Sequence, residues 1–169
     1  RFKYFLSQEL KISVNQIESL VLGGHGDTMV SMLNHTTVGG KPVLDLVKEG
    51  KLSKESLKGI VQRTKSGGAE IVKLLERGSA FYAPAASGVE MAESYLKDLK
   101  KQLPCAVYLN GEYGVNNLYA GVPVVVGAKG IEKIVELELS SEEKKDFDNS
   151  IVAVQDLFIA AKKIDTDLK

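Results

Sequence analysis

The sequence contains very little cysteine, since Cys105 is the only one among its 169 residues. One cysteine can form neither an internal disulfide nor a metal site built from several thiolates. We therefore expect a reducing compartment, the cytoplasm, and no bound metal. The sequence also lacks an apolar run of the ~18 residues that a transmembrane helix requires, and we identify no signal peptide. These absences argue against a disulfide-stabilised secreted module and against a membrane protein.

Charge of one sign is not in excess either. Lysine plus arginine and aspartate plus glutamate both number 22, so the formal net charge at pH 7 is zero. No basic surface therefore points to nucleic acid, and no acidic tail points to a cationic partner. The chain also has no G-x-G-x-x-G motif after a strand and no Walker loop, so it predicts no nucleotide site of its own. Its length fits one domain over residues 1–169.

The order of hydrophobic patterns predicts an α+β fold with an antiparallel sheet. The expected elements are a helix over 2–10, short strands over 20–22 and 29–33, a helix over 42–49, a long helix from Ser53 to Gly78, a helix that begins near Pro84, three strands over 103–111, 119–127 and 131–139, and a last helix after a capping box of Ser140 and Glu143.

Helical spacing also predicts which side chains face the core. In the helix after Pro84 these are Val89, Ala92, Leu96 and Leu99, and in the last helix they are Phe147, Ile151, Val154, Phe158 and Ala161. The pair Gly67-Gly68 interrupts the apolar repeat of the long helix. Since each glycine there costs about 1 kcal/mol against alanine, the pair predicts a kink or a close backbone approach.

Residues 23–30, which read G-G-H-G-D-T-M-V, are the most informative stretch for chemistry. His25 stands between glycines at the end of an apolar strand, where the backbone can come close to a ligand. Histidine exchanges a proton near neutral pH, so His25 is a candidate for proton transfer. The residues alone fit equally a turn that carries a solvated histidine.

The same stretch resembles the active-site motif of the lactate/malate dehydrogenase family, and the resemblance runs in order along nearly the whole chain. Arg1-Phe2 is similar to the end of the family's D-S-x-R-F/L segment. The further matching segments are G-S-A-F-Y-A-P-A-A-S at 78–87, M-A-E-S-Y-L-K-D at 91–98, L-P-C-A at 103–106, Y-G-V at 113–115, G-V-P at 121–123 and V-V-G at 125–127. The separation between Arg1 and His25 also fits the family.

The resemblance implies a role for four residues. His25 is expected to exchange a proton with the substrate while hydride moves to or from NAD, and Arg1 to bind the substrate carboxylate. Ala80 is expected to face the substrate, and Pro84 to lie near the nicotinamide ring. The residues alone leave Arg1 open to a second reading, because an arginine in first position can also be a frayed terminal residue.

The implied reaction is the conversion of (S)-malate and NAD+ to oxaloacetate and NADH, a step of the tricarboxylic acid cycle. Gly24 before His25 favours the malate branch, and an L-lactate dehydrogenase of the same family is the alternative. The nucleotide-binding half of the family is missing from this sequence, as is the aspartate that orients the histidine. We therefore expect a C-terminal domain fragment that is inactive by itself.

A reading from a different class stays open beside the enzyme. The chain can instead be a non-catalytic assembly or remnant domain, with apolar surface exposed where the nucleotide-binding half would pack. On either reading we expect homo-oligomers, dimers or tetramers, and no partner among nucleic acids or membranes.

Overall fold

The computed structural model describes residues 1–165 and 167–168. Its helices are α1 (Phe2–Leu10), α2 (Val43–Lys48), α3 (Lys54–Leu75), α4 (Tyr82–Leu96) and α5 (Ser141–Ile164). Its strands are β1 (Ile17–Glu18), β2 (Val21–Leu22), β3 (Val30–Ser31), β4 (Thr37–Val38), β5 (Lys41–Pro42), β6 (Lys101–Asn110), β7 (Asn116–Gly127) and β8 (Gly130–Ile134). Every strand pair is antiparallel among these residues. The α+β fold is confirmed.

The first core lies between α1, α2, α3 and the small sheet β1–β4–β5. Phe2 and Leu6 occupy one face of α1 and are buried against α3, as the helical spacing predicts. The helix ends at Lys11, which adopts a left-handed conformation with φ of 54°. The predicted helix over residues 2–10 is therefore confirmed, and it fixes the position of Arg1 directly before it.

The second core lies between the meander β6–β7–β8 and α5. Phe147 and Ile151 of α5 are buried against Val122 and Val124 of β7 in the same cluster. The capping box predicted at the start of α5 is present, with the hydroxyl of Ser140 accepting from the backbone of Glu143. This cap sets the first turn of the helix that supports the site described below.

The third strand of the meander is shorter than the alternating pattern predicts. The prediction ran to Leu139, whereas β8 ends at Ile134. Val135 donates to the carbonyl of Pro123, but Pro123 has no N–H to return a bond, so the ladder stops there. The hydroxyl of Tyr113 then donates to the carbonyl of Val135 (2.7 Å) and accepts from the amide of Leu137 (3.0 Å).

The predicted inner face of α4 is wrong. Val89 and Leu96 are 67% and 78% exposed, and Ala92 and Leu99 are exposed as well. The buried residue is Ser94, whose hydroxyl donates to the carbonyl of Val126 in β7 (2.7 Å) and accepts from the amide of Lys101 (3.2 Å). Helical spacing finds an apolar stripe, but it does not show whether the chain itself supplies a partner for it.

The ends of two other helices also differ from the prediction. In α5, Phe147 and Ile151 are buried and Val154 and Ala161 are half-buried, as the spacing predicts, but Phe158 is exposed. Helix α3 ends at Leu75, before the predicted Gly78. Within the described residues, no helix combines the length and the apolar character that crossing a membrane requires.

Candidate active site

An open cleft of about 480 Å³ lies where the start of α1, the turn after β2, the start of α4 and the meander meet. Arg1 and His25 both line it, although the connection β1–β2 and the first helix separate them along the chain. Pro84 forms part of another wall, and Cys105 and Gly121 contribute from the sheet. The fold thus brings three of the four residues singled out from the sequence to one place.

His25 is carried by a short connection between β2 and β3, which we call the His25 loop (residues 23–28). Gly23 and Gly26 adopt φ of 90° and 98°, which only glycine adopts without strain. Gly23 donates to the carbonyl of Gly121 (2.8 Å), and Gly121 donates back to Gly23 (2.9 Å). These paired bonds attach the base of the loop to β7, while the imidazole of His25 itself is exposed.

The glycines before His25 also allow the loop to lie directly on α5. A Cβ atom on Gly23 would stand 2.8 Å from the Cβ of Ser150, and one on Gly24 would stand 2.8 Å from Cγ2 of Val154. Real Cβ atoms essentially never approach other heavy atoms this closely, so a larger residue at either position would force the loop or the helix to shift. The G-G-H-G sequence is therefore explained by packing as well as by turn geometry.

Arg1 lies across α3 at the position of its two glycines. A Cβ atom on Gly67 would come within 2.9 Å of Cδ of Arg1, and one on Gly68 within 3.4 Å of Nη1. Of the two alternatives predicted for this pair, a kink or a close approach to the backbone, the structure shows the close approach, which the Arg1 side chain makes. The glycines make room for the guanidinium beside the cleft.

The Nε atom of Arg1 is buried, and it has no hydrogen-bond partner among residues 1–165 and 167–168. A buried donor without a partner is costly, and it is costlier when the donor carries charge. The guanidinium of Arg1 is thus suited to an anion that enters the cleft, such as a carboxylate held by two parallel hydrogen bonds.

The beginning of α4 supplies one wall of the cleft. Ala83, Pro84 and Ser87 line it, and Ser87 turns its hydroxyl back to the carbonyl of Ala83 (3.0 Å). Ala80 is 8% exposed and does not belong to the lining of the cleft. Its expected contact with a substrate therefore stays a prediction.

The remaining candidates have plainer surroundings. His35 is half-buried, and its Nε2 lies 3.0 Å from the carbonyl oxygen of Glu138. Cys105 is buried in β6, and burial raises the pKa of its thiol. Among the described residues, no three histidine, cysteine, aspartate or glutamate side chains come together in a way that could hold a metal ion.

Ser150 was not singled out from the sequence, although its hydroxyl lies next to the His25 loop. It donates to Oγ1 of Thr28 (3.2 Å) and accepts from the amide of Gly24 (2.8 Å). A weak signal existed, since Ser150 follows Phe147 by three residues and so falls on the apolar face of the last helix. A serine in that place indicates a buried polar contact, but not which loop it meets.

Comparison with known proteins assigns this architecture to a protein family. The model of the lactate/malate dehydrogenase alpha/beta C-terminal domain matches residues 1–158. The chain belongs to the lactate/malate dehydrogenase family. A curated relative, the malate dehydrogenase of Pelagibacter ubique (strain HTCC1062), is 66% identical over 168 residues, which are 99% of this chain and 52% of the relative. The chain thus spans about half the length of the relative it matches.

Solved structures of the lactate/malate dehydrogenase family have the same fold. The malate dehydrogenase of Cryptosporidium parvum is 46% identical with a TM-score of 0.93, and the match covers 96% of this chain and 52% of that one. The lactate dehydrogenase of Eimeria maxima, solved with NADH and oxamate, is 41% identical with a TM-score of 0.94, covering 99% and 52%. Both branches of the family therefore have this domain.

Proposed function

We propose that this chain is the catalytic, substrate-binding half of an NAD-dependent malate dehydrogenase, which interconverts (S)-malate and oxaloacetate. One observation carries the proposal: the buried Nε of Arg1, which has no hydrogen-bond partner among the described residues, and the imidazole of His25 belong to the same cleft. One group can hold an anion, and the other can move a proton. A 2-hydroxy or 2-oxo acid needs both when its hydroxyl and carbonyl forms interconvert.

In this proposal Arg1 binds the substrate carboxylate and fixes the orientation of the reacting carbon. His25 takes the proton from the hydroxyl group of malate, and in the reverse direction it returns a proton to the carbonyl oxygen of oxaloacetate. Histidine as a residue type suits both directions because it can accept or donate a proton under physiological conditions.

The cleft fits one end of an NAD molecule, the nicotinamide ring. Ala83 and Pro84 offer an apolar wall on the same cleft as His25, which suits a flat ring. When it is bound, NAD supplies the hydride acceptor or donor. The sequence holds no glycine-rich phosphate loop, so we propose that a separate nucleotide-binding half contributes most of the NAD site and that residues 1–169 are inactive without it.

The test joins this chain to the N-terminal half of the Pelagibacter ubique malate dehydrogenase, placed before Arg1. We expect the chimaera to oxidise NADH with oxaloacetate and residues 1–169 alone to be inactive. His25→Gln should lower kcat/KM by roughly 10²- to 10⁴-fold, the usual contribution of general acid–base catalysis. His35→Gln is the matched control, because His35 lies outside the cleft, and it should leave the rate near that of the chimaera.

The outcome can contradict the proposal in two ways. Rapid NADH oxidation by residues 1–169 alone would show that no nucleotide-binding half is needed. A chimaera whose rate is insensitive to His25→Gln would remove His25 from the reaction. A lactate dehydrogenase is the second candidate, because of the likeness to the Eimeria maxima enzyme. The residues expected to select between the two substrates lie in the nucleotide-binding half, so the preference of this chimaera does not separate the two candidates.

A non-catalytic assembly domain is the candidate from another class, and the open apolar face of α4 favours it. Val89, Leu96 and Tyr82 are largely exposed on that helix. Self-association is compatible with both candidates, so a homo-oligomer stays part of the proposal, to be measured by sedimentation. A cytoplasmic location stays a prediction that rests on the single cysteine.

A further inference from the structure

One hydroxyl group on α5 touches both ends of the His25 loop. Ser150 is fully buried, and its Oγ accepts from the amide of Gly24 at 2.8 Å and donates to Oγ1 of Thr28 at 3.2 Å. Gly24 directly precedes His25, and Thr28 lies near the other end of the loop. The Ser150 hydroxyl therefore bridges the segment that carries the imidazole.

This bonding differs from that of Thr64 and Ser87, two other hydroxyl-bearing residues in the helices. Thr64 and Ser87 donate to the carbonyl four residues earlier in their own helices, at 2.8 and 3.0 Å. That local bond is the usual one for a serine or threonine inside a helix. Ser150 instead directs both its proton and its lone pair to another segment, so its bonds hold two parts of the chain together.

The helix beneath the loop is a firm base. Phe147 and Ile151, on either side of Ser150, are buried in the core against the sheet. The loop backbone lies directly on this helix, because neither Gly23 nor Gly24 has room for a Cβ atom. A movement of the loop relative to α5 must therefore break the Ser150 bridge.

We propose that Ser150 is a positioning residue for His25: it holds the loop on α5 so that the imidazole stays at the cleft that Arg1 also lines. The inference rests on the proposed function in one respect: proton transfer by His25 is the reason why its position matters. Proton transfer needs the donor and acceptor atoms within hydrogen-bond reach, so a loop that shifts on α5 lowers the rate without removing the catalytic group.

The first test uses NMR on the 169-residue chain to measure the hydrogen exchange of the Gly24 amide and the ring signals of His25, and it needs no catalysis. Ser150→Ala should lower the hydrogen-exchange protection of the Gly24 amide by at least about tenfold, since its acceptor is lost. It should also move or broaden the ring signals of His25. The ring signals of His35, the only other histidine, serve as the reference within the same sample and should stay in place.

Ser94→Ala is the matched control variant. Ser94 is also fully buried, and its hydroxyl also donates one hydrogen bond and accepts another, but it joins α4 to the sheet. It should lower thermal stability by a similar amount and leave Gly24 and His25 unchanged. If Ser150→Ala folds and behaves like Ser94→Ala at Gly24 and His25, the proposal is overturned, and Ser150 is simply a core hydroxyl.

Thr28 gives access to the same bridge from the loop side, which keeps the test decisive if Ser150→Ala fails to fold. Thr28→Val removes the acceptor of the Ser150 proton, and we expect it to move the His25 ring signals. Thr28→Ser keeps a hydroxyl group and should restore them. Identical His25 signals in the two variants would overturn the bridge.

The second test measures catalysis in the chimaera with the Pelagibacter ubique nucleotide-binding half. Ser150→Ala should lower kcat roughly 10- to 10²-fold with little change in the KM for oxaloacetate, because the carboxylate contact through Arg1 is untouched. An unchanged kcat in an otherwise active, His25-dependent chimaera would overturn the positioning role alone. A chimaera that is inactive with Ser150 intact would overturn the proposed function and leave the NMR result standing by itself.

Discussion

The Cδ atom of Arg1 lies against Gly67 of α3, so closely that a Cβ atom on Gly67 would come within 2.9 Å of it. The side chain of Arg1 can therefore keep its place only while that position has no side chain. The helix accepts a residue with poor helix propensity at this point, and the cleft gains a guanidinium group with an unpaired Nε.

We predict that Gly67→Ala displaces Arg1 and weakens substrate binding. In the chimaera, the KM for oxaloacetate should rise about tenfold, which corresponds to roughly 1.4 kcal/mol. Gly59→Ala is the matched control on the same helix, because a Cβ atom there meets nothing within 4 Å. Gly59→Ala should raise the free energy of unfolding by about 0.5–1 kcal/mol and leave KM unchanged. Equal KM values for the two variants would contradict the role of Gly67.

Glu143 joins the cap of α5 to Asn34 and gives a prediction for acid pH. Burial by itself raises the pKa of the Glu143 carboxyl group, but hydrogen bonds from Asn34 and Ser140 outweigh it and leave the pKa below its ordinary value of 4.5. A lowered pKa means that the carboxylate stabilises the fold above pH 4.5. This stabilisation is lost as the pH falls through the lowered value.

Glu143→Gln should therefore lower the free energy of unfolding by about 1–3 kcal/mol at neutral pH, with a difference that shrinks below pH 4.5. Urea unfolding of the unaltered chain and of Glu143→Gln between pH 7 and pH 3 measures this difference in the free energy of unfolding. Glu142→Gln is the control, since Glu142 is the exposed neighbour in the same turn. A difference that is independent of pH would show that the charge of Glu143 contributes nothing.

The hydroxyl group of Tyr113 makes the hydrogen bonds that a neighbouring strand would otherwise make to the segment after β8. It should therefore contribute more to the free energy of unfolding than an exposed hydroxyl group does. Tyr113→Phe leaves the carbonyl of Val135 and the amide of Leu137 without this partner and should cost about 1–3 kcal/mol in the free energy of unfolding. Tyr119→Phe, at an exposed position, is the control. Equal melting temperatures for the two variants would rule out this role.

Cys105 should react slowly while the chain is folded. Burial raises the pKa of its thiol above the ordinary 9.0, so the reactive thiolate is scarcer at any given pH than in the unfolded chain. By linkage, the protonated thiol favours the folded state, and this contribution declines as the pH rises past 9.0. Iodoacetamide at pH 8 should alkylate Cys105 at least about tenfold faster in denaturant than in buffer. Equal rates would contradict its burial.

The sequence predicts those elements whose signals are local. Helix α1, the two short strands β2 and β3 and the Ser140 cap of α5 are all confirmed, since spacing, a glycine turn and a capping box act over a few residues. The end of β8 depends on Pro123, a residue of the neighbouring strand, so no pattern within residues 131–139 predicts it.

The reactive residues of the candidate site could be predicted from the sequence, but the residues that hold the His25 loop in place could not. His25 and Arg1 are recognisable from residue type and from the ordered likeness to the family. The partners of the His25 loop are Gly121 and Ser150, which lie far from it along the chain and carry no motif of their own. The exposure of α4 is likewise a tertiary property, because its apolar stripe meets no packing partner in the described part of the chain.

The bond between Gly24 and Ser150 joins residues that are 126 positions apart. A contact of such long range forms only after most of the chain has been ordered, because the entropy of closing that loop must be overcome first. The first core uses α1, α2 and α3, which precede the meander along the chain, whereas the His25 loop needs α5, the last helix. The packing of α5 on the sheet should therefore complete the second core and make the reactive centre competent in the same step.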